Sequence, residues 1–596
     1  MGMWMSAGTD EGDKLDRAAT TKVLRRTVRM LRPYRRGASW AIAMLVTFAL
    51  TNLAGPLLVR RAIDGGLTAG DRGVLNESIV MYVIVAVVAY VSFRLAIAGM
   101  ARVGEAFLRD LRTRVFGRLL EQSMPFYDRE NAGVLVSRMT SDIDSLQVLV
   151  QLGLRMFVTA ALLLITAFFT LVILDPLLLV LCLSTMPIVA IATVKFHRAS
   201  NRAYLAVRDR IATTLTSLQE GFSGVRVVQA FAREDVQIGR FSDTNHGLYR
   251  THMRSVKIAA VYLPVVQMAS ALGIAIAVGA GGLMVRDGRL TIGTVAAFIL
   301  ILQTMFGPLQ QLSQLFNMVQ SATASLNKLY GLLDEPLVID AADDADALPA
   351  SGAIELDNVS FAYTPGEPVL DGVDLSIAEG ERIAFVGPTG AGKSTVAKLV
   401  ARFYDPVDGE IRIGGMNLRD AAVDSLRDQI VVVPQEGFLF AGTVADNIRL
   451  ARPEASDAEI RQALERIGVL DVFTSLPEGL ATEVQERGTR LSAGEKQLVS
   501  LARAALVDPR ILILDEATSS VDPGTEAIVE VAMDSLMEGR TVIAIAHRLS
   551  TSQRCDRVAV IVDGRLAELG THDDLVAKGD HYAELFEAWT NGLAAA

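Results

Sequence analysis

The sequence predicts an α-helical six-span membrane domain followed by an α/β domain built around a P-loop. Three observations carry this. Long apolar runs fill roughly residues 39–330 and then stop. Beyond them, short apolar runs such as 383–386 and 511–514 alternate with helix-like segments, the pattern of a largely parallel, buried sheet. A glycine-rich stretch from Gly387 to Thr395 sits between one such run and a helix-like one.

Composition sets the outer limits. A length of 596 residues suggests three or four domain-sized units. With 51% hydrophobic and 21% charged residues, the chain is too apolar for an ordinary soluble enzyme and far too apolar for a disordered one. A net charge of −10 lacks the basic footprint of a nucleic-acid binder, so no nucleic-acid partner is expected. Cys182 and Cys555 cannot build a disulfide framework and read as unpaired thiols. The first twenty residues are polar and mixed in charge, so no secretory signal is expected.

The chain divides into four parts. Residues 1–37 form a cytoplasmic N-terminal segment, 38–333 the membrane domain, 334–351 an acidic linker rich in Ala, Asp and Pro, and 352–596 the α/β domain. Six apolar runs, near 39–59, 79–100, 146–174, 177–194, 258–285 and 291–319, each supply the roughly 20 helical residues that a bilayer core of about 30 Å requires. Their lack of a polar stripe argues against buried helices of a soluble protein. Eighteen Lys and Arg residues lie in the loops after spans two and four, against five in the opposite loops. This places the long loops, both termini and the α/β domain in the cytoplasm of a multi-pass protein, with a bacterial plasma membrane as the expected location. The cationic cluster at 25–36 reads as an interfacial helix on the inner leaflet.

The long cytoplasmic loops favour helix, so spans two to five should continue well beyond the membrane. Their tips, near 125–128 and 220–228, are the places to meet the C-terminal domain. Arg94 lies in span two and Arg155 in span three, and charges inside a membrane are functional candidates by default.

The chemistry lies in the second half. Gly387, Pro388, Thr389, Gly390, Ala391, Gly392, Lys393, Ser394 and Thr395 fit the P-loop pattern. The glycines let successive backbone N–H groups face one anion, and the following helix N-terminus adds positive partial charge. Lys393 can reach β- and γ-phosphates, and the Ser394 hydroxyl can bind Mg²⁺. The apolar strand 511–514 runs into Asp515 and Glu516. Asp515 would hold Mg²⁺ through water, and Glu516 would orient and polarise an attacking water. His547 follows another apolar strand, 541–546.

Leu491-Ser492-Ala493-Gly494-Glu495-Lys496-Gln497 resembles the signature sequence of ATP-binding cassette (ABC) transporters, with the P-loop before it and the Asp-Glu strand after it. The resemblance runs from about residue 25 to the end and is to an exporter-like half-transporter of the multidrug or lipid type. It implies ATP and Mg²⁺ as cofactors and ATPase activity coupled to transport. It also implies roles for particular residues. Tyr363 would stack on adenine, Gln435 would sense Mg²⁺, Asp522 would cross the dimer seam and His547 would contact the γ-phosphate. Glu486, within 482–488, would belong to the loop that meets the coupling helices, which the two cytoplasmic tips resemble. Ala493 and Glu495 depart from the family's Gly-Gly-Gln: they put a methyl near the phosphate approach and a carboxylate where an amide is usual.

In the family that the chain resembles, the signature of one subunit closes over ATP held by the other, so one P-loop and one signature per chain imply two subunits. A heterodimer with a second ABC half-transporter is expected, in which the weaker signature serves a less active site; a homodimer is the alternative. The expected function is ATP-driven export or flipping of a lipid-like or amphipathic drug-like substrate. Alternatives are import on the same fold, an ATP-gated channel or regulator, and a cassette ATPase with an unrelated membrane anchor.

Overall fold

The computed structural model describes residues 17–337, 339, 345–435, 437–485, 488–515, 523–546 and 549–594. It divides into two units: Met1–Glu121 with Asn131–Glu335, and Gln122–Glu130 with Pro336–Ala596. Gln122–Glu130, the first predicted tip, therefore groups with the α/β residues.

The first unit is helical. α1 (Arg17–Met30), α2 (Arg35–Arg61) and α3 (Arg72–Leu120) are followed by α4 (Met124–Arg129), which belongs to the second unit. Then come α5 (Ala132–Ser137), α6 (Ile143–Val148), α7 (Leu154–Leu174), α8 (Pro176–Leu183), α9 (Met186–Ser223), α10 (Val225–Ala230), α11 (Glu234–Arg286) and α12 (Ile292–Asp334). Polar caps set the boundaries. The Asp71 carboxylate accepts from the N–H groups of Gly73 and Val74 and starts α3. The Asp175 carboxylate accepts from Leu178 N–H, and Pro176 at the first helical position separates α8 from α7.

Among the described residues, five stretches, Arg32–Thr68, Arg72–Leu120, Ala132–Leu174, Pro176–Ser223 and Glu234–Arg286, are long and apolar enough to cross a membrane. The predicted sixth run lies in α12, of which Ile292–Met305 is an apolar helical stretch among the described residues. At about 1.5 Å per residue, the 49 residues of α3 and 53 of α11 extend to roughly 75–80 Å, more than twice a bilayer core. The expectation that these helices overrun the membrane holds. Buried Ala41, Ala96 and Gly99 line the α2–α3 contact, where small residues let backbones approach. Val80, Val83, Val87 and Val91 of α3 are exposed, an apolar face suited to lipid.

The cationic N-terminal helix has a protein partner. Arg26 of α1 donates to both carboxylate oxygens of Asp334 at 2.5 and 2.8 Å and lies 4.3 Å from the centre of the Tyr330 ring. Thr27 Oγ1 and Tyr330 Oη are 2.8 Å apart, and Val23 is buried. One face of α1 is thus committed to the end of α12.

The second unit carries two sheets. β1 (Ile354–Phe361), β2 (Leu370–Ile377), β4 (Asp408–Ile413) and β5 (Met416–Asn417) form an antiparallel sheet in the order β2-β1-β4-β5. β3 (Arg382–Val386), β6 (Ile430–Val433), β7 (Ile511–Asp515), β8 (Thr541–Ile545), β9 (Arg557–Val562) and β10 (Arg565–Gly570) form the other, in the order β10-β9-β3-β8-β7-β6. There the pairs are parallel except at the β10 edge. The buried parallel sheet matches the sequence pattern. The antiparallel sheet is additional, and the alternating burial of β1 and β2 explains it. One apolar core joins both sheets to α13 (Lys393–Val400). A second gathers α15 (Val444–Arg449), α16 (Asp457–Arg466), α17 (Leu470–Thr474), α18 (Ala493–Val507) and α19 (Pro523–Met537) against β6 and β7, while α14 (Val423–Gln429) packs Leu426 into the first.

Candidate functional site

The P-loop is a strand–turn–helix in which steric demands select glycine. Gly387 and Gly392 have φ of 145° and 106°. A Cβ on Gly387 would lie 2.1 Å from the Ile561 carbonyl oxygen, and one on Gly392 would lie 2.6 Å from Leu370 Cδ2. Only glycine fits both positions, and the loop is thereby bent back over the start of α13. Lys393 is buried and donates to the carbonyl oxygens of Gly387 and Pro388, both at 2.8 Å. Burial lowers the pKa of its ammonium, and the negative charge of Asp515 opposes that shift. A largely buried cation at the N-terminus of a helix is a strong anion receptor.

Strand register brings the carboxylate to the same edge. Phe385 of β3 pairs with Ile545 of β8, and Ile545 pairs with Asp515 of β7. The three residues stand level across the sheet, so the P-loop and Asp515 emerge together from the carboxyl ends of parallel strands, the usual place for a ligand in such sheets. Glu516, Asp522, His547 and Glu486 lie outside the described residues. Gln435 is exposed in the segment after β6. Ser394 and Asp515 are half-buried. The hydroxyl of Ser394, the amide oxygen of Gln435 and the carboxylate of Asp515 would together make an all-oxygen donor set, the kind that suits Mg²⁺.

Tyr363 follows β1 and hydrogen-bonds through its hydroxyl to Thr395 Oγ1 on α13 at 3.2 Å. The residue remains 42% exposed, which leaves part of its ring accessible for stacking. The signature segment opens α18. Ser492 is the N-cap: its Oγ accepts from Glu495 N–H at 3.2 Å, and the Glu495 carboxylate accepts from Ser492 N–H at 2.7 Å. This reciprocal capping box accounts locally for a glutamate at this position. Ala493 is exposed in the first turn and Gly494 is buried. Arg503, further along α18, donates to the carbonyl oxygens of Asn447 and Phe438 at 2.7 and 2.8 Å, tying the segment after Gln435 to the signature helix.

Sequence reasoning missed Tyr404. It is buried, and it donates its hydroxyl to the Asp128 carboxylate in α4. The run Arg402-Phe403-Tyr404-Asp405 after α13 offered a signal, since two aromatics and two opposite charges rarely follow a helix without a packing task.

The comparisons agree with this architecture. Residues 40–309 match the family model for the ABC transporter transmembrane region, and 370–519 match that for the ABC transporter domain. An uncharacterized ABC transporter ATP-binding protein of Bacillus subtilis strain 168, YknV, is 35% identical over 572 residues, covering 94% of each chain. An ATP-dependent lipid A-core flippase of Syntrophus aciditrophicus is 35% identical, covering 95% of this chain and 94% of its own. A multidrug efflux ATP-binding/permease protein of Mycobacterium tuberculosis, Rv0194, is 34% identical over 94% of this chain, which spans 47% of that relative. The solved structure of a bacterial Atm1-family ABC exporter with ATP bound superposes with a TM-score of 0.78 at 28% identity, covering 93% of this chain and 98% of that one. With a bundle of apolar spans and an ATP-binding cassette on one polypeptide, this chain belongs to the ABC transporter family, as a membrane ATPase of the exporter type whose cassette lies in the cytoplasm.

Proposed function

We propose that this chain is one half of a two-subunit exporter, favouring a heterodimer with a second half-transporter, which moves a lipid-like or amphipathic drug-like cargo. The observation that carries the two-subunit reading is the contrast between the two cytoplasmic tips. Phe126, on the first, is 2% exposed. On the second, Phe222, Val227 and Phe231 at the α9–α10 turn are 74%, 62% and 73% exposed. Such a cluster on a water-facing tip calls for a covering surface, and a second subunit's cassette supplies one of the required kind. The relative of which this chain spans 47% is long enough to hold two units of this size.

In the mechanism, Tyr363 stacks the base, the P-loop and Lys393 hold the phosphates, and Ser492 with the start of α18 closes over ATP held by the other subunit. Ser394, Gln435 and Asp515 would hold Mg²⁺, which supplies charge neutralisation at the β- and γ-phosphates. Glu516 would polarise the attacking water, His547 would contact the γ-phosphate and Asp522 would serve the seam. Closure is driven because ATP binds the paired state better than the open one. The tips pass closure to the spans.

The relatives named as a lipid A-core flippase and a multidrug efflux protein support an amphipathic cargo. Arg155 lies 5.7 Å from the Phe93 ring centre, and Phe93 packs on Phe48 at 4.6 Å. A cation beside aromatic surface suits a cargo with an anionic head.

The test is a Glu516→Gln chain purified with any partner that accompanies it and reconstituted in lipid. ATP binding should persist, turnover should nearly vanish, and ATP should hold the cassettes paired. Surviving turnover removes Glu516 from its role. A lone protomer that stays single in saturating ATP removes the two-subunit mechanism.

A further inference from the structure

An aromatic cluster joins the P-loop helix to the tip of the first cytoplasmic loop, all within the second unit. The Tyr363 ring meets the Tyr404 ring edge-on, with centres 5.3 Å apart and planes at 87°. Phe361 closes the triangle at 4.9 Å from Tyr363 and 5.5 Å from Tyr404. Lys398 Nζ stands 5.3 and 5.8 Å from the centres of the Tyr363 and Tyr404 rings. The far end of Tyr404 donates its phenol to the Asp128 carboxylate in α4. Burial, reinforced by that carboxylate, pushes the phenol's pKa up, which keeps it a neutral donor.

Tyr404 is held from both sides. Arg402 before it is buried and donates to the carbonyl oxygens of Ala421 and Arg419 at 2.9 and 3.0 Å. The Arg427 guanidinium lies 4.8 Å from the Phe403 ring centre and donates to Ala401 O at 2.6 Å. On the tip side, Phe126 is buried and edge-on to Tyr127 at 5.3 Å.

We propose that Tyr404 is a positioning residue that reports occupation of the free face of Tyr363 to the α4 tip through Asp128. The inference rests on reading Tyr363 as the base-stacking residue and adds to it: coupling responds to the nucleobase as well as to the phosphates. A base stacked on the exposed face of Tyr363 restricts that ring. Close-packed rings transmit the restriction, since packed interiors have few alternative arrangements. The phenol–carboxylate bond is charge-assisted and directional, so it carries the restriction to α4. From α4 the chain runs back through residues 121–123 into α3.

The test uses the full chain in lipid nanodiscs with a nitroxide on Met124→Cys. Met124 is exposed on α4, whereas Cys182 and Cys555 are buried. In the parent, saturating ATP should change the label's mobility clearly more than saturating UTP, whose smaller base stacks less. Tyr404→Phe keeps the ring and removes the hydroxyl; Asp128→Ala removes the acceptor. Each should reduce the ATP response to the UTP level, and Asp128→Asn, which still accepts a hydrogen bond, should restore it in part. An ATP response that survives both variants, or that equals the UTP response in the parent, overturns the inference. Tyr363→Ala separates the two claims. It should lower ATP affinity about tenfold, the scale of one lost base–aromatic stack. If affinity is unchanged, the stacking assignment itself fails; if affinity falls but the Tyr404 and Asp128 variants respond normally, only the relay fails.

Discussion

Lys393 is a cation largely withdrawn from water, hydrogen-bonded to two loop carbonyls and within the field of Asp515. Its ammonium therefore has more to gain from a phosphate than an exposed lysine would. Lys393→Met should keep the fold, since methionine fills similar space, and weaken ATP binding at least about tenfold, the loss of a charge-assisted bond of roughly 1.5–3 kcal/mol. The sign of its pKa shift adds a calorimetric signature. Burial lowers the value below 10.5, and a bound polyanion would raise it again. ATP binding at pH values between the lowered pKa and 10.5 should take up protons, measurable as a buffer-dependent heat, and Lys393→Met should abolish that uptake. Glu495 shows the reverse case, an anion at a helix N-terminus. Glu495→Gln retains an acceptor for Ser492 N–H, so thermal stability should hold, while Glu495→Ala loses the box and about 1 kcal/mol. Removing the charge with glutamine should also favour closure on ATP, because like charges repel and the carboxylate would face phosphates held by the other subunit.

Among the elements, α1 and α12 are joined by Arg26, Thr27, Tyr330 and Asp334. Arg26 holds the Asp334 carboxyl below its ordinary value, by hydrogen bonding above all; burial opposes this, and the charges of Arg26 and then Lys22 add smaller shares. A depressed carboxylate contributes stability that is present above its unfolded pKa and lost as pH falls through the folded one. The latch should therefore be intact across pH 5–9 and open only in strong acid. Both side chains are more than a third exposed, so the ion pair itself is worth less than about 1 kcal/mol after screening. Arg26→Ala should loosen α1, seen as faster amide exchange over Arg17–Met30, without unfolding α12. The spans and the parallel strands were legible in the sequence because each has a strong local period. The antiparallel sheet was not singled out, although 354–361 alternates, because its partners lie as far away as residues 408–413. The capping box at Ser492 is readable as Ser-x-x-Glu, yet the family comparison drew attention to the glutamate as a departure before its local use was visible.

For the whole molecule, the exposed apolar tip at α10 is the feature that a single chain leaves incomplete. Phe231 is 73% exposed, so Phe231→Ser should cost the isolated chain little. In the assembled transporter the same change should weaken pairing and lower the cargo moved per ATP hydrolysed, measured together in proteoliposomes. Pairing unaffected by Phe231→Ser would exclude this tip from the interface.

The sequence alone determined the class of chemistry and the membrane crossing, because phosphate cradles need glycine and lysine at set spacings and bilayers need long apolar helices. The P-loop, Asp515 and the signature segment could all be named from residue types a few positions apart. Tertiary structure decided which distant groups meet: Phe385, Ile545 and Asp515 level across three strands, Arg26 on Asp334, and Tyr404 between Tyr363 and Asp128. Those pairings join residues as many as 308 positions apart. No local period encodes them, since they follow only from how strands register and how side chains pack once the chain has folded.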